Sequence, residues 1–179
     1  DAEAFGSLVD AYQARVFGFV RRMVGDFEEA SDITQEVFIR AFKHFPSFDG
    51  RSGVKTWLFR IAHNLCVDRA RRADRAPAQI ALGTTDDAEL EIQMPDGRWE
   101  PERVALEEEF LAALEAGIAS MSEKLRSVLL LHDREDQSYE EIASVLRIPI
   151  GTVKSRLFLA RAHLQQHLKP YLHGESVQS

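Results

Sequence analysis

Apolar residues recur every three or four positions along most of this chain, and this spacing constrains its fold more than any other feature. The spacing begins at Phe5, Leu8 and Tyr12 and, after an interruption, returns from Leu106 onward. It is typical of amphipathic helices that bury one face in a core. The alternation of apolar and polar residues that indicates a half-buried strand is never sustained. The sequence therefore predicts an all-α fold.

Turn-forming residues divide the helical pattern and set the expected helix ends. We expect Ser31 to start a helix and Pro46 to end it, because proline has no amide proton to donate. Residues 47–53 contain two glycines and are expected to form a loop. A third helix is predicted over residues 55–75. Its core stripe would consist of Leu58, Ile61, Ala62 and Leu65, and its other face would carry Arg60, Asn64, Arg71 and Arg75.

The helical pattern fails between residues 76 and 105. Three prolines and two glycines interrupt it, and 2 basic residues stand against 7 acidic ones. This composition predicts an extended acidic linker. The predicted architecture is therefore two small helical domains, residues 1–75 and 106–172, on either side of the linker, with a tail at residues 173–179.

The net charge of −7 argues against a nucleic-acid partner, but the distribution of charge reverses that impression. Residues 1–75 carry 12 basic and 11 acidic side chains. Between Ile142 and Leu172 there is no acidic residue, whereas five basic ones occur there. They are Arg147, Lys154, Arg156, Arg161 and Lys169. Locally basic surfaces of this kind favour binding to nucleic acid.

Enzymatic, metal-binding and membrane functions find little support in the sequence. It contains no phosphate-binding glycine loop, no Gly-x-Ser-x-Gly and no His-Glu-x-x-His motif, so we expect neither catalysis nor a cofactor. His63 and Cys66 could touch one metal, but we interpret them as ordinary helix-surface residues and expect no metal site. The lone cysteine, the short apolar runs and the absence of a basic leader predict a cytoplasmic protein without membrane insertion.

The most specific motif is a helix-turn-helix at residues 138–157 (SYEEIASVLRIPIGTVKSRL). Ser138 and Glu141 have the spacing of a capping box at a helix start. Arg147, Ile148 and Pro149 should break this helix before a second, basic helix begins. The inner face of the second helix is predicted to be Val153, Leu157, Ala160 and Leu164. A helical hairpin with a merely solvated basic face is the alternative interpretation.

The start of the second helix carries the residues expected to read DNA. Lysine and arginine suit phosphates or guanine edges, and threonine and serine suit phosphates or either base. The residues predicted to contact DNA here are Arg147, Gly151, Thr152, Lys154, Ser155 and Arg156. Glycine is usual at the turn position that Arg147 occupies, and a left-handed arginine there would cost about 1 kcal/mol.

Three separated segments resemble the signature segments of the extracytoplasmic-function (ECF) sigma factors. They are residues 32–42 (DITQEVFIRAF), 56–72 (TWLFRIAHNLCVDRARR) and 151–157 (GTVKSRL), in the order and spacing of that family. The resemblance implies that the first domain binds the β′ clamp helices of RNA polymerase core and melts the promoter's minus-ten element. It implies that the second domain reads the minus-thirty-five element as duplex. The β flap of polymerase and an anti-sigma factor are further partners that it implies.

The residues of the first domain agree with the roles implied by this resemblance. Asp32, Gln35, Glu36 and Ile39 form one helical face, whose carboxylates suit a protein partner better than DNA. A solvated helix face is the alternative. For the minus-ten element, an aromatic ring, an amide and several cations could capture an unpaired strand. The predicted residues are Phe48, Arg51, Lys55, Arg60, Asn64, Arg69, Arg71 and Arg72. Trp57 is interpreted as a core anchor where the loop meets the helix.

Other functions remain open on sequence alone. By the resemblance the acidic linker would lie toward the polymerase cleft, whereas the sequence alone slightly favours a solvated tether. A helix-turn-helix also occurs in regulators that bind DNA without polymerase. A protein-interaction module with a vestigial helix-turn-helix is the third possibility. Transcription by polymerase core from a matched promoter distinguishes the three.

Overall fold

The structure of the protein is a computed structural model, which describes residues 2–48, 53–73 and 108–172. These residues form helices and no strand, so the all-α prediction is confirmed. The helices are α1 (Ala2–Val24), α2 (Phe27–His44), α3 (Val54–Ala73), α4 (Glu108–Ala119), α5 (Glu123–Leu129), α6 (Tyr139–Leu146) and α7 (Ile150–Leu172). The predicted linker and tail lie outside the described residues. Helices α1–α3 are called the N-terminal domain below, and α4–α7 the C-terminal domain.

The N-terminal domain is a three-helix unit in which each helix contacts the other two. Its core includes Val16 and Phe19 of α1, Ile33 and Val37 of α2, and Phe59 of α3. The rings of Phe19 and Phe59 meet edge to face, 5.4 Å apart between centroids. The apolar faces predicted from the sequence periodicity therefore meet in one core.

Helix α2 begins earlier than predicted, at Phe27, and Ser31 lies inside it. Asp26 is the N-cap, and its carboxylate accepts a hydrogen bond of 2.8 Å from the amide of Glu29. Asp26 follows Gly25, which takes a left-handed φ of +80° and turns the chain out of α1. The prediction at Ser31 was wrong because this Gly-Asp pair supplies both the turn and the cap. Pro46 lies in a short 3-10 turn (Phe45–Ser47) directly after α2, as expected of a helix-ending proline.

Helix α3 buries more of its surface than the predicted stripe. Leu58, Ala62 and Leu65 are buried and Ile61 is half-buried, but Phe59 and Cys66 are buried as well. The expectation that Cys66 lies on the helix surface was wrong, since the residue is only 3% exposed. Burial raises the pKa of its thiol to about 12. The thiol is therefore protonated and unreactive at neutral pH.

The C-terminal domain packs α4, α5 and α6 against the long helix α7. A π-turn (Leu130–Arg134) continues α5 and buries Leu130 and Leu131. Helix α4 approaches α7 so closely at Gly117 that a β-carbon there would lie 2.9 Å from Leu164 Cδ1. This glycine therefore serves close helix packing rather than a turn.

The two domains are packed on each other, which the sequence did not predict. Helix α3 lies against α6, and α1 contacts both α4 and α5. The contact places the third helix of one domain beside the first helix of the other domain's helix-turn-helix. It therefore decides which predicted DNA-binding residues are accessible.

Candidate DNA and polymerase interfaces

The predicted helix-turn-helix is present, formed by α6 and α7. Ser138 and Glu141 make both bonds of the capping box: the Glu141 amide donates to Ser138 Oγ (3.1 Å), and the Ser138 amide donates to Glu141 Oε1 (2.8 Å). Helix α6 ends at Leu146, and the residue that caps it, Arg147, has left-handed angles of φ 58° and ψ 50°. The carbonyl oxygen of Pro149 then accepts hydrogen bonds from the amides of Thr152 and Val153 at the start of α7. The turn thus has the strained arginine expected from the sequence.

The first turns of α7 present three of the predicted reading residues on the surface. Gly151, Lys154 and Ser155 are exposed, and Thr152 and Arg156 are half-buried. The predicted inner face is buried throughout: Val153, Leu157, Ala160 and Leu164. The buried side fixes the helix, so the polar side is held in a defined orientation toward solvent.

A layer of side chains beneath α7 supports Lys154. Its ammonium lies 5.7 Å from the centroid of the Tyr139 ring, within range of a cation–π interaction. The Tyr139 ring stacks on His132, with centroids 5.3 Å apart and an angle of 26°. Arg161 binds Asp133 at 2.7 Å beside His132. Sequence reasoning missed Tyr139 and His132, because only the fold brings them under Lys154.

The residues predicted to capture the minus-ten strand separate into two groups. Asn64, Arg71 and Arg72 are exposed on α3, and Arg69 is half-buried. Lys55 and Arg60 instead contact the C-terminal domain: Lys55 donates to the carbonyl oxygen of Glu135, and Arg60 Nη2 donates to Ser144 Oγ at 2.5 Å.

Aromatic rings cluster just before and at the start of α3. The rings of Phe48 and Trp57 lie 4.9 Å apart, and that of Phe45 lies 6.3 Å from Trp57. These contacts agree with the interpretation of Trp57 as an anchor. Arg51 lies outside the described residues.

The face of α2 predicted to bind polymerase is accessible. Asp32, Gln35 and Ile39 are exposed, and half-buried Glu36 pairs with Arg40 at 3.1 Å. The face borders an open groove of about 930 Å³ between α1 and α2. The apolar lining of this groove includes Phe5, Phe17, Phe38, Ile39 and Phe42. With Phe42 56% exposed, the groove leaves apolar surface available to a protein partner.

The comparison with known proteins decides the family. The sigma-70 region 2 family matches residues 8–76, and the sigma-70 region 4 family matches residues 111–164. The chain is 38% identical to the RNA polymerase sigma-H factor of Pseudomonas aeruginosa, over 96% of this chain and 90% of that protein. It is 36% identical to the ECF RNA polymerase sigma factor SigW of Bacillus subtilis, over 94% of this chain and 91% of SigW. The chain belongs to the ECF sigma factors.

Two solved structures show the same fold. The sigma factor RpoE of Bartonella quintana, solved with the anti-sigma factor NepR, matches with a TM-score of 0.70 at 23% identity. The match spans 93% of this chain and 98% of the RpoE chain. CnrH, solved with the cytosolic domain of CnrY, matches with a TM-score of 0.66 at 24% identity, over 94% of this chain and 90% of its own. Its membership of the ECF sigma factors, shown by the family matches and the relatives above, makes this chain a transcription initiation factor that directs RNA polymerase to promoters.

Two ion pairs that join the domains of this sigma factor have the same polarity. Arg15 pairs with Glu135 at 3.0 Å, and Arg22 pairs with Glu115 at 3.1 Å. Burial raises the pKa of Glu135, whose side chain is 9% exposed, although Arg15 and Lys55 oppose that shift. Burial lowers the pKa of Lys55. No local sequence signal marks these residues, because the partners lie 93 and 120 positions apart.

Metal-binding clusters and membrane-spanning helices are both absent from the described part of the chain. It contains no group of three or more histidine, cysteine or acidic residues that could hold a metal ion. Residues 2–48, 53–73 and 108–172 also include no helix long and apolar enough to span a bilayer.

Proposed function

We propose that this sigma factor divides promoter recognition between its domains. The C-terminal domain reads the minus-thirty-five element as duplex, and the N-terminal domain binds polymerase core and captures the melted minus-ten strand. The observation that carries this proposal is the buried inner face of α7, which orients an exposed, cationic first turn away from the domain. A helix held in this way fits the major groove. The proposed domain bounds are residues 1–75 and 106–172.

Duplex recognition falls to the start of α7 and the turn before it. Lys154 reaches a phosphate or a guanine edge, and Ser155 and Thr152 reach phosphates or bases. Gly151 has open space around its α-carbon, so the backbone can approach the DNA closely at that point. Arg147 and Arg156 complete the proposed contact set.

Strand capture falls to the polar face of α3. Asn64 is an exposed neutral amide that can make paired hydrogen bonds to a base edge, and exposed Arg71 and Arg72 can hold phosphates. Lys55, Arg60 and Arg69 extend this cationic surface. Arg51, which lies outside the described residues, is also proposed to contact the strand. Phe48 is proposed to contact an unstacked base.

Polymerase binding falls to α2 and the apolar groove beside it. Gln35 and Ile39 line both the predicted face and the groove, so one surface offers polar and apolar contacts together. The β′ clamp helices suit it because a helix in a groove buries apolar side chains at regular spacing. The β flap is the proposed contact of the C-terminal domain, and an anti-sigma factor is a further proposed partner. The protein would act in the cytoplasm, where polymerase and promoter lie, without catalysing a reaction itself.

Transcription by purified polymerase core with and without this sigma factor tests the proposal on a matched promoter. We expect core-dependent, promoter-specific initiation, and weak, unselective binding when the free sigma factor meets promoter duplex, since each domain offers few phosphate contacts. Tight, sequence-selective duplex binding by the sigma factor without core, and no initiation with core, would support a stand-alone regulator instead.

Replacing Asn64 with alanine tests the division between domains. We expect slower open-complex formation on duplex promoter and lost base preference on single-stranded minus-ten DNA, because unpairing costs a few kcal/mol that the amide helps to offset. A template already melted over the minus-ten element should restore part of the opening rate but not the base preference. Core binding, measured separately, should be unchanged, and a variant that opens promoters normally would contradict the assignment of Asn64.

A further inference from the structure

We propose that the face of α1 and α3 beneath the C-terminal domain is itself a nucleic-acid phosphate surface. When the domains are packed together, acidic side chains of the C-terminal domain occupy it in place of phosphates. The proposal rests on the proposed function in one respect, that promoter DNA is the polyanion. It adds Arg15 and Arg22 of α1 to the DNA-binding residues and makes DNA and the C-terminal domain competitors for one surface.

The polarity of the interdomain contact carries the proposal. In the pairs Arg15–Glu135, Arg22–Glu115 and His63–Glu123, the basic residue belongs to the N-terminal domain and the carboxylate to the C-terminal domain. The Arg22–Glu115 pair is bidentate, with distances of 3.1 and 3.2 Å. Arginine recognises phosphate oxygens with the same planar, two-bond geometry.

Two arginines of the C-terminal domain also lie at the contact. Arg134 shares the Glu115 carboxylate with Arg22, and the other is Arg126. Its Nη1 donates to the carbonyl oxygen of Met23 at 2.6 Å, so its partner is backbone at the end of α1 and not a carboxylate. Because this acceptor is a neutral carbonyl, the bond anchors the contact without placing on the N-terminal face a carboxylate that would repel phosphate. The N-terminal side chains of these three pairs, Arg15, Arg22 and His63, are thus all basic residues that separation of the domains would leave without their carboxylate partners.

The covered surface continues into the exposed part of α3. Arg60, Asn64 and Arg71 follow one side of the helix, because Asn64 lies four residues after Arg60 and Arg71 lies seven residues after Asn64. Arg60 contacts Ser144 of α6, whereas Asn64 and Arg71 face solvent. Arg15 and Arg22 are seven residues apart and follow one side of α1 in the same way. A strand held at Asn64 can therefore extend over Arg60 only when α6 has moved away.

The carboxylates of Glu115, Glu123 and Glu135, called the acidic cover below, are held weakly enough for a polyanion to displace them. Ion pairs whose members are partly exposed contribute little individually, and salt screens them. The Arg22 and Glu115 side chains are 27% and 47% exposed. Glu135 is the most enclosed of the three carboxylates, and the positive charges of Lys55 and Arg15 both act on it. A polyanion that supplies several phosphates at once can replace these contacts.

The test compares charge removal on the two sides of the contact in the full chain. The first variant, Glu115→Gln with Glu135→Gln, removes two carboxylates of the acidic cover. The matched control, Glu108→Gln with Glu109→Gln, removes the same charge from exposed residues of α4. Small-angle scattering reports domain separation, circular dichroism reports helix content, and anisotropy of a labelled single-stranded oligonucleotide reports binding.

We expect the first variant to expand and to bind the oligonucleotide about threefold or more tightly than the control variant, the effect expected of ion pairs with this exposure. A second variant, Arg15→Gln with Arg22→Gln, breaks the same pairs from the basic side. It should expand similarly but gain no affinity. When the two arginine substitutions are added to the first variant, they should abolish its gain in oligonucleotide affinity. They should also reduce the slope of log affinity against log salt concentration by about 0.7 for each phosphate that is no longer neutralised.

The inference is overturned if removal of the acids raises affinity no more than the control does. It is also overturned if removal of the arginines from the opened chain leaves affinity unchanged. Core-dependent initiation by the unmodified chain tests the proposed function separately. A chain that initiates transcription but fails the charge-removal test thus loses only the inference, while one that passes it but does not initiate loses only the proposed function.

Discussion

Helices α3 and α7, which carry the proposed DNA-reading residues, are similar in length, with 20 and 23 residues, but differ in their surroundings. The first turns of α7 face solvent and are supported from within their own domain by Tyr139. The polar face of α3 is exposed at Asn64 and covered at Arg60 by α6 of the other domain. The proposed duplex-reading turn is thus accessible with the domains together, whereas we expect strand capture by the whole face of α3 to need the domains to separate.

The difference also orders the steps of promoter recognition. The reading turn of α7 is accessible while the domains are together, but its few phosphate contacts should give only weak, unselective duplex binding until polymerase core is present. The melted strand appears later, and we expect it to compete with α6 for α3. Contact with polymerase core, which offers its own surfaces to each domain, is the step at which we expect the domains to part.

The largest expected effect tests whether α3 is packed as firmly as α7. Cys66 lies on the buried side of α3, and its pKa is raised to about 12 from an ordinary 9.0. At pH 8 the native thiol is therefore ionised about a thousandfold less often than an exposed thiol. Each thiolate of higher pKa is more nucleophilic, which offsets part of this difference. We expect alkylation by iodoacetamide to be about thirtyfold or more slower in the native chain than in urea, because the buried thiol ionises so rarely. Equal rates would show that α3 is loosely packed, and the comparison with α7 would fail.

The next effect concerns the accessible side of the comparison. Lys154→Ala should weaken recognition of the minus-thirty-five element by polymerase that carries this sigma factor. If Lys154 binds a guanine edge, discrimination at one base pair should fall by about 1–3 kcal/mol. If it binds a phosphate, affinity should fall equally for all DNA sequences. The slope of log affinity against log salt concentration should then shrink by about 0.9. Lys169→Ala, on an exposed residue near the end of α7, is the matched control. Equal behaviour of the two variants would place the reading face elsewhere.

Local sequence signals predicted α6 and α7 better than they predicted the start of α2. The capping box at Ser138 and the inner face of α7 follow from short-range spacing, and both are present. Ser31 was a plausible cap, but Asp26 made a stronger one because Gly25 let the chain turn just before it. Helix starts depend on competition among neighbouring caps, which periodicity alone does not resolve.

Long-range contacts could not be read from the sequence at all. Arg15 and Glu135 are 120 positions apart, and nothing in the chain between them indicates that they meet. Cys66 was assigned to the surface because α3 was expected to bury only one stripe, whereas the helix buries Phe59 and Cys66 in addition. The residue types at the candidate sites were therefore predictable, but which of them the other domain covers was not.

A smaller effect separates strain from DNA contact in the turn before α7. Arg147 holds left-handed angles that cost an arginine about 1 kcal/mol, and glycine takes them without a steric penalty. We expect Arg147→Gly to raise the free energy of unfolding by up to about 1 kcal/mol in urea denaturation. Arg147→Ala, which keeps the strain and loses the side chain, should not. If Arg147 also contacts DNA, both variants should weaken duplex binding equally, whereas weakening by only one would show that the turn acts through its conformation.

The smallest effect tests the support beneath α7, the feature that most distinguishes it from α3. The Tyr139 ring lies 5.7 Å from the Lys154 ammonium, and a cation–π contact at an exposed site is worth about 0.5–1 kcal/mol. Tyr139→Leu removes the ring and leaves Lys154 to sample more rotamers, so minus-thirty-five affinity should fall by about two- to fivefold. Tyr139→Phe keeps the ring and should retain the affinity, while thermal unfolding of both variants monitors the stability of the domain. In a Lys154→Ala background, Tyr139→Leu should cost nothing further, because the side chain that it positions is absent. A full additional loss in that background would mean that Tyr139 acts on DNA binding by another route, and the support assigned to it would be wrong.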